Sequence, residues 1–232
     1  MPSGLVATPG AIGPVLYADA APLRVLRHGA TWNYRGAEQR GDPAAPQVHV
    51  YNNTVTMTET GGGFVETASN IYIDKLDAVG PLRFEGGQYT HNENILISNV
   101  HVVSGTFVEL RSPVRQNEQF VAIDRKGIWV NSDLDGDGVI DKADIAAWTR
   151  VIGKETIDLP NRRAVETVRV DLTIRVQIVL SRGNVITPLQ EAVKSHWYAP
   201  GLGIVKKRVD TPDENPNLPR RVVEEILETF DG

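Results

Sequence analysis

The stretch "VRVDLTIRVQIVL", residues 168–180, decides the fold. Val168, Val170, Leu172, Ile174, Val176, Ile178 and Leu180 fall on one face, and Arg169, Asp171, Thr173, Arg175 and Gln177 on the other. A period of two held over so long a run describes a strand with one buried face and one wet face, the habit of antiparallel sheet. At roughly 3.3 Å per residue the strand runs about 43 Å, so the sheet that holds it must be large or strongly curved.

The same grammar extends outward. "QVHVYNNTVTMTET" (47–60) sets Val48, Val50, Asn52 and Thr54 against His49, Tyr51, Asn53 and Val55, then stops at Gly61, Gly62 and Gly63. "GFVETASNIYID", "NILISNVHVV", "TFVELRSP" and "QFVAIDRKGIWV" are bounded by Gly, Pro and Asn, as strands are. Pro200 and Gly201 with Gly203 predict a turn between two strands, with Trp197 capping the apolar face or gripping a ligand together with Tyr198. Two segments instead carry helical spacing. Ile145, Trp148, Val151 and Ile152 recur along one stripe with Gly153 as a stop. "PRRVVEEILETF" (219–230) places Val222, Ile226 and Phe230 on another. The expected organisation is a flexible tail over 1–22, an antiparallel β domain over 23–209 with a loop-helix insertion at 131–153, and a connector with a C-terminal helix over 210–232.

Composition narrows the function classes. The 232 residues are 41% hydrophobic and 23% charged, with a net charge of −5. Residues 133–144, "DLDGDGVIDKAD", hold five aspartates and one lysine, so nearly all of that charge is local and a basic nucleic-acid footprint is absent. No apolar run reaches the roughly 18 residues that a membrane-spanning helix needs. The opening "MPSGLVATPGAIGPVLYADAAP" has no basic n-region and is broken by Pro2, Pro9 and Pro14, so it is not an intact signal peptide; it suits the mature start of an exported chain. The absence of cysteine excludes disulfides, thiol catalysis and Cys-ligated zinc.

The aspartate stretch is the one strong chemical signal. Read as a cation loop, Asp133, Asp135 and Asp137 take positions 1, 3 and 5, and Gly138 takes the sharp turn at 6. Val139 would offer its carbonyl at 7, Asp141 a direct or water-bridged contact at 9, and Asp144 the closing carboxylate at 12. Oxygen-only ligands at this density suit a hard cation, and calcium's flexible shell suits them better than magnesium's octahedron. Without an ion, the crowded carboxylates repel one another and some pKa values rise.

Nothing comparable marks a catalytic site. The histidines, His28, His49, His91, His101 and His196, show no HxH or HExxH spacing. His49 and His101 read as ordinary strand positions. Neither a nucleophile elbow nor a phosphate loop occurs. Glu191 stands alone, and Glu224, Glu225 and Glu228 read as the wet face of the C-terminal helix. The expectation is a protein that is not an enzyme.

Two resemblances add to this. Residues 133–153, with "IAAWTRVIG" (145–153) following the loop, resemble one repeat of a dockerin, a family of EF-hand-like calcium loops. Here one repeat stands where a dockerin has two, and Asp144 replaces the usual closing Glu. "HWYAPGLGIVKKRV" (196–209) is similar to the closing hairpin of uncharacterised bacterial extracytoplasmic domains, often lipoproteins, with a W-Y-A-P-G-x-G-x-V-K signature. "PLRVLRHGATWNYRG" (22–36) resembles their opening. That second resemblance implies a mainly β fold: a large curved antiparallel sheet, a half-barrel of the lipoprotein-carrier type, with the calcium loop-helix inserted and a helix at the C-terminus. The functional expectation is a non-enzymatic, extracytoplasmic (secreted, cell-surface or periplasmic) calcium-binding protein. Its Ca2+ would be structural, held by Asp133, Asp135, Asp137, Val139, Asp141 and Asp144. The β domain would serve ligand binding or surface assembly, with a protein partner or a second copy. The alternatives are a calcium-dependent docking module built on the loop-helix, and a hydrolase with a dispersed site.

Overall fold

The computed structural model describes residues 11–42, 44–69, 81–97, 101–130, 132–160, 164–183, 190–211 and 221–232. In chain order the strands are β1 (Val15–Tyr17), β2 (Thr31–Arg40), β3 (Gln47–Thr60), β4 (Gly63–Ala68), β5 (Arg83–Glu85), β6 (Gln88–Ile97) and β7 (His101–Arg111). There follow β8 (Val114–Arg115), β9 (Gln119–Trp129), β10 (Lys142–Ile157), β11 (Val165–Val179), β12 (Gln190–Ala199), β13 (Gly203–Thr211) and β14 (Arg221–Asp231). A 3-10 turn covers Ala21–Leu23.

Nine strands make one antiparallel sheet in the order β4-β3-β2-β14-β13-β12-β11-β10-β9. From β9 to β14 the chain meanders hairpin by hairpin, and β14 then pairs with β2. β5, β6 and β7 form a second sheet that spans the gap between the two edges of the first. Phe64 and Leu82 exchange backbone hydrogen bonds of 2.9 and 2.6 Å on one side. On the other, β7 lies against β9, and the Thr149 hydroxyl donates to the Val108 carbonyl at 2.9 Å. The result is a barrel-like wrap around one interior. The segment from Val15, inside the expected tail, takes part through the pairing of β1 with β8.

The deciding stretch behaves as read. Val168, Val170, Leu172, Ile174, Val176 and Ile178 are buried, and β11 is paired on both sides. The predicted turn at Pro200 and Gly201 joins β12 to β13, with Gly201 and Gly203 at φ of 73° and 76°. Among the described residues two large apolar clusters occupy the interior, with a smaller one of Tyr51, Val209 and Val223 beside them. One gathers Leu23, Trp32, Tyr89, Leu110, Val168 and Leu227. The other gathers Phe107, Ile123, Ile145, Ile174, Val176 and Ile178. Each fully buried aliphatic or aromatic side chain contributes roughly 1.5–3 kcal/mol.

Both expected helices are strands, and the fold expectation is corrected there. The segment read as a helix leaving the calcium loop is β10, paired with β11 along its length and with β9 from Lys142 to Arg150, so the connection reduces to a hairpin loop and 131–153 is no insertion. Ala143, Ile145, Ala147, Thr149 and Val151 point inward at period two. Alanine and threonine are weak hydrophobic signals, whereas the outward Trp148 and Ile152 are strong ones, so the sequence shows a false helical stripe. Trp148 is covered on the outside by the Arg175 guanidinium, 5.2 Å from its ring centroid. The expected C-terminal helix is β14, held between β13 and β2. Its inward residues are Arg221, Val223, Glu225 and Leu227, half of them charged, while Val222, Ile226 and Phe230 lie outside or at the rim. Helix propensity is a weak prior beside backbone pairing on two sides. The connector residues 212–220 lie outside the described residues.

Candidate functional site

The loop between β9 and β10 is closed at its neck by the Val130 N–H to Asp141 carbonyl (3.0 Å) and the Asp141 N–H to Ser132 carbonyl (2.9 Å). Gly136 and Gly138 take φ of 72° and 85°, which L side chains adopt at a cost. Those turns aim backbone donors at Asp133: one oxygen accepts from Gly136 at 2.7 Å, the other from Gly138 at 2.7 Å. The Gly138 bond leads the causes that hold the Asp133 carboxyl below its ordinary range. Asp141 is fully buried and bridges two segments, accepting from Leu134 N–H at 2.6 Å and from Ser181 N–H at 2.8 Å.

Carboxylate oxygens of Asp133, Asp135 and Asp141 lie within 4.8 Å of one another. Partial desolvation and the charges of Asp137 and Asp141 push the Asp135 carboxyl up. Crowding of that kind is what a cation would relieve, and an oxygen-only donor set fits a hard ion. Of the remaining expected ligands, Asp137 turns to the Ser181 hydroxyl and to Arg182, 3.4 Å away. That Ser181 bond leads the causes that lower its pKa. Asp144 sits within β10 and accepts from Gly127 N–H at 2.9 Å. Val139 donates its N–H to Asp137 at 2.9 Å, and its side chain is exposed. The loop thus joins three of the expected ligands and sends Asp137 and Asp144 elsewhere.

A second polar assembly, which the sequence did not announce, lies inside the barrel. Glu109 on β7 accepts a short hydrogen bond from the Tyr198 hydroxyl and faces Arg24 at 3.5 Å, His91 at 3.5 Å and His196 at 3.8 Å. Arg24 also donates to both oxygens of Glu66, at 3.0 and 3.4 Å. Burial pushes the Glu109 carboxyl up, but Arg24 and the two imidazoles more than offset it and hold it well below the carboxylate range. Burial, with Glu109 beside it, raises Tyr198. Burial also lifts the Tyr89 hydroxyl, which donates to the Ala21 carbonyl at 2.8 Å, to about 12. On the opposite wall the completely buried Glu225 accepts from Tyr51 at 3.1 Å and Asn53 at 2.9 Å, and lies 3.6 Å from the Lys207 ammonium. Glu38, between Arg221 and Arg40, is pushed up by burial and held low by those two guanidinium groups.

The missed residues carry a signal in retrospect. Lys194, His196 and Tyr198 share one phase of β12, and Glu109 shares the phase of Phe107. Charged residues two positions from core residues mark an interior that is polar in part. Glu225 shows this most plainly: the sequence places it on the wet face of a helix, and it is among the most deeply buried side chains of the described residues.

No family model matches this chain, and no curated protein does. Two solved structures are similar to it. One is a protein of Parabacteroides distasonis ATCC 8503 provisionally described as a lipoprotein, 15% identical over 90% of this chain and 98% of that one, with a TM-score of 0.46. The other is a protein of Bacteroides fragilis NCTC 9343 provisionally described as exported, with a YmcC-like fold, 12% identical over 90% of this chain and 99% of that one, with a TM-score of 0.32.

Proposed function

We propose that this chain is a non-enzymatic, extracytoplasmic β protein that binds one calcium ion in the β9–β10 loop, where the ion serves structure. The observation that carries this is the approach of the Asp133, Asp135 and Asp141 oxygens to within 4.8 Å of one another. Three carboxylates supply part of the six to eight oxygens calcium takes, and water or loop carbonyls complete the shell. Two of the three are exposed, which argues for a weak site of the extracellular kind, filled at millimolar rather than cytosolic calcium. The interior acid Glu109 is engaged on every side by Arg24, His91, His196 and Tyr198, so it serves as an anchor for those groups. Docking through a loop-helix loses its basis, because residues 145–153 are strand.

Calorimetric titration with calcium, and with magnesium as comparison, tests the site. At about 100-fold over Kd, binding to the folded state alone stabilises by roughly 2.7 kcal/mol. For a chain of this length that raises Tm by roughly 5–11 °C. No heat of binding and the same Tm in excess calcium and in EDTA would remove the proposal.

A further inference from the structure

The interior assembly closes on itself: its cavity, about 30 Å³, has room for one water, and Lys207 on its wall faces Glu225 at 3.6 Å. The outside of the barrel is less settled at one end. Strand direction alternates around the nine-stranded sheet, so the end of β2, the start of β3, the ends of β9 and β11 and the start of β10 share one rim. Large apolar side chains are exposed there. Trp129, Val139 and Ile140 on the β9–β10 hairpin are 53%, 51% and 47% exposed, and Val48 and Val50 at the start of β3 are 54% and 61% exposed. Among the described residues these are five of the eight exposed large hydrophobics, and gathering at one rim marks a contact surface where scatter would not. Trp129 pairs with Lys142 beside the loop, and the Lys142 ammonium lies 4.4 Å from its ring centroid. Tryptophan and long-stemmed lysine are residues that settle where lipid headgroups meet acyl chains. From Asp124 to Asp144 the chain has six aspartates against Arg125, Lys126 and Lys142, and Arg182 joins them 3.4 Å from Asp137. The ion-free tip is therefore formally negative by two charges, and one Ca2+ cancels them. Asp133 and Asp135 are exposed, so an ion they hold keeps coordination positions open to solvent.

We propose that this tip, with calcium bound, docks onto an anionic phospholipid surface: Trp129, Val139 and Ile140 enter between the headgroups, Arg125, Lys126 and Lys142 meet lipid phosphates, and a phosphate oxygen completes the shell of the ion. This rests on the calcium reading above and adds the partner of that site. Charge decides the occupant. Without the ion the tip is repelled by an anionic surface; with it the repulsion is gone, and the exposed Arg125 and Lys126 attract phosphate. The apolar side chains alone would give only weak, reversible adhesion, so the apolar and the ionic contact are both needed.

The test floats the full chain with unilamellar vesicles of phosphatidylcholine, alone or mixed with phosphatidylglycerol, in millimolar calcium or in EDTA, alongside a calorimetric calcium titration. Recovery with the vesicles is expected only where phosphatidylglycerol and calcium are both present. Trp129→Ala and Ile140→Ser change exposed side chains that are not ligands of the ion, so both variants should fold and bind calcium as the native chain does. Vesicle affinity should fall about tenfold in Trp129→Ala, as expected from losing the burial of one large apolar side chain, and less in Ile140→Ser. Calcium heat without vesicle recovery would overturn the docking and leave the calcium site standing, whereas no calcium heat would remove both. Equal recovery on neutral vesicles or in EDTA, undiminished affinity in both variants, or a calcium-dependent dimer in sedimentation velocity in place of vesicle binding would each overturn the assignment.

Discussion

Asp141 and Asp135 contribute to the same cluster but differ in everything else, and replacing each by alanine separates scaffold from ligand. Asp141 is completely buried and accepts two backbone donors, Leu134 N–H at 2.6 Å and Ser181 N–H at 2.8 Å. Asp141→Ala leaves both donors without a partner, at about 1.5 kcal/mol or more each, so about 3 kcal/mol in total. For a chain of this length the Tm falls by about 6–12 °C in EDTA, and by more in calcium, because a ligand is lost as well. Asp135 is exposed, and its carboxyl is pushed up by its surroundings and its neighbours' charges. Asp135→Ala therefore removes repulsion in the ion-free loop, and the Tm in EDTA stays level or rises slightly. Its loss appears only on adding calcium, as a smaller increase in Tm and a weaker affinity. Differential scanning calorimetry of the native protein and both variants, each in EDTA and in excess calcium, gives the six values needed. Equal destabilisation of the two variants in EDTA would refute the division of roles. Undiminished calcium stabilisation of Asp135→Ala would refute its place as a ligand.

Acid should weaken the fold through Glu109 and Glu38. Both have folded pKa values below their unfolded ones, so their stabilisation is present above about pH 4.3, the unfolded value, and is lost as pH falls through the folded pKa. Asp135, shifted upward, acts in the opposite sense, because protonation relieves its repulsion. In urea melts from pH 7 to 3, Glu109→Gln should flatten the acid limb, and an unchanged slope would speak against the interior ion cluster. Gly36→Ala would place a methyl carbon 2.3 Å from the Tyr51 ring, displacing a hydroxyl that reaches Glu225 at 3.1 Å. A cost of roughly 1–3 kcal/mol follows from overpacking, and a Tm equal to that of the native protein would contradict this packing. Deleting residues 221–232 should abolish cooperative unfolding, because β14 joins β13 to β2. A native-like melt of the shortened chain would be incompatible with that strand order.

The fold was legible where a strand buried aliphatic residues at period two, as β11 does from Val168 to Ile178, and where glycine and proline set a turn, as at Gly201. It was illegible where the inward phase held small or charged residues. In β10 the inward Ala143 and Ala147 share a cluster with Phe107 from β7 and Ile123 from the neighbouring β9, so the bulky residues that dominate a pattern search are those pointing outward. In β14 the inward Arg221 and Glu225 look like solvent positions until their partners Glu38, Tyr51 and Asn53 arrive from β2 and β3, more than a hundred residues earlier. A helix period then emerges from residues that never share a helix.

The same reasoning explains why one site was readable and the other was not. The aspartate loop is local: Asp133, Asp135 and Asp141 fall within nine consecutive residues, and two glycines with positive φ bend the backbone back to Asp133. Spacing alone therefore carries most of its information. What spacing could not supply is the competition for each carboxylate. Ser181 and Arg182, just past the end of β11, take Asp137, and Gly127, within the last residues of β9, takes Asp144. The interior cluster is nonlocal throughout, for Arg24, Glu66, His91, Glu109 and His196 come from five separate segments, and no two are close enough in sequence to form a motif. Buried charges add little net stability, and a well-packed apolar interior would serve as well or better. Their concentration around a cavity, rather than their dispersal through the core, is the feature that stability alone does not explain.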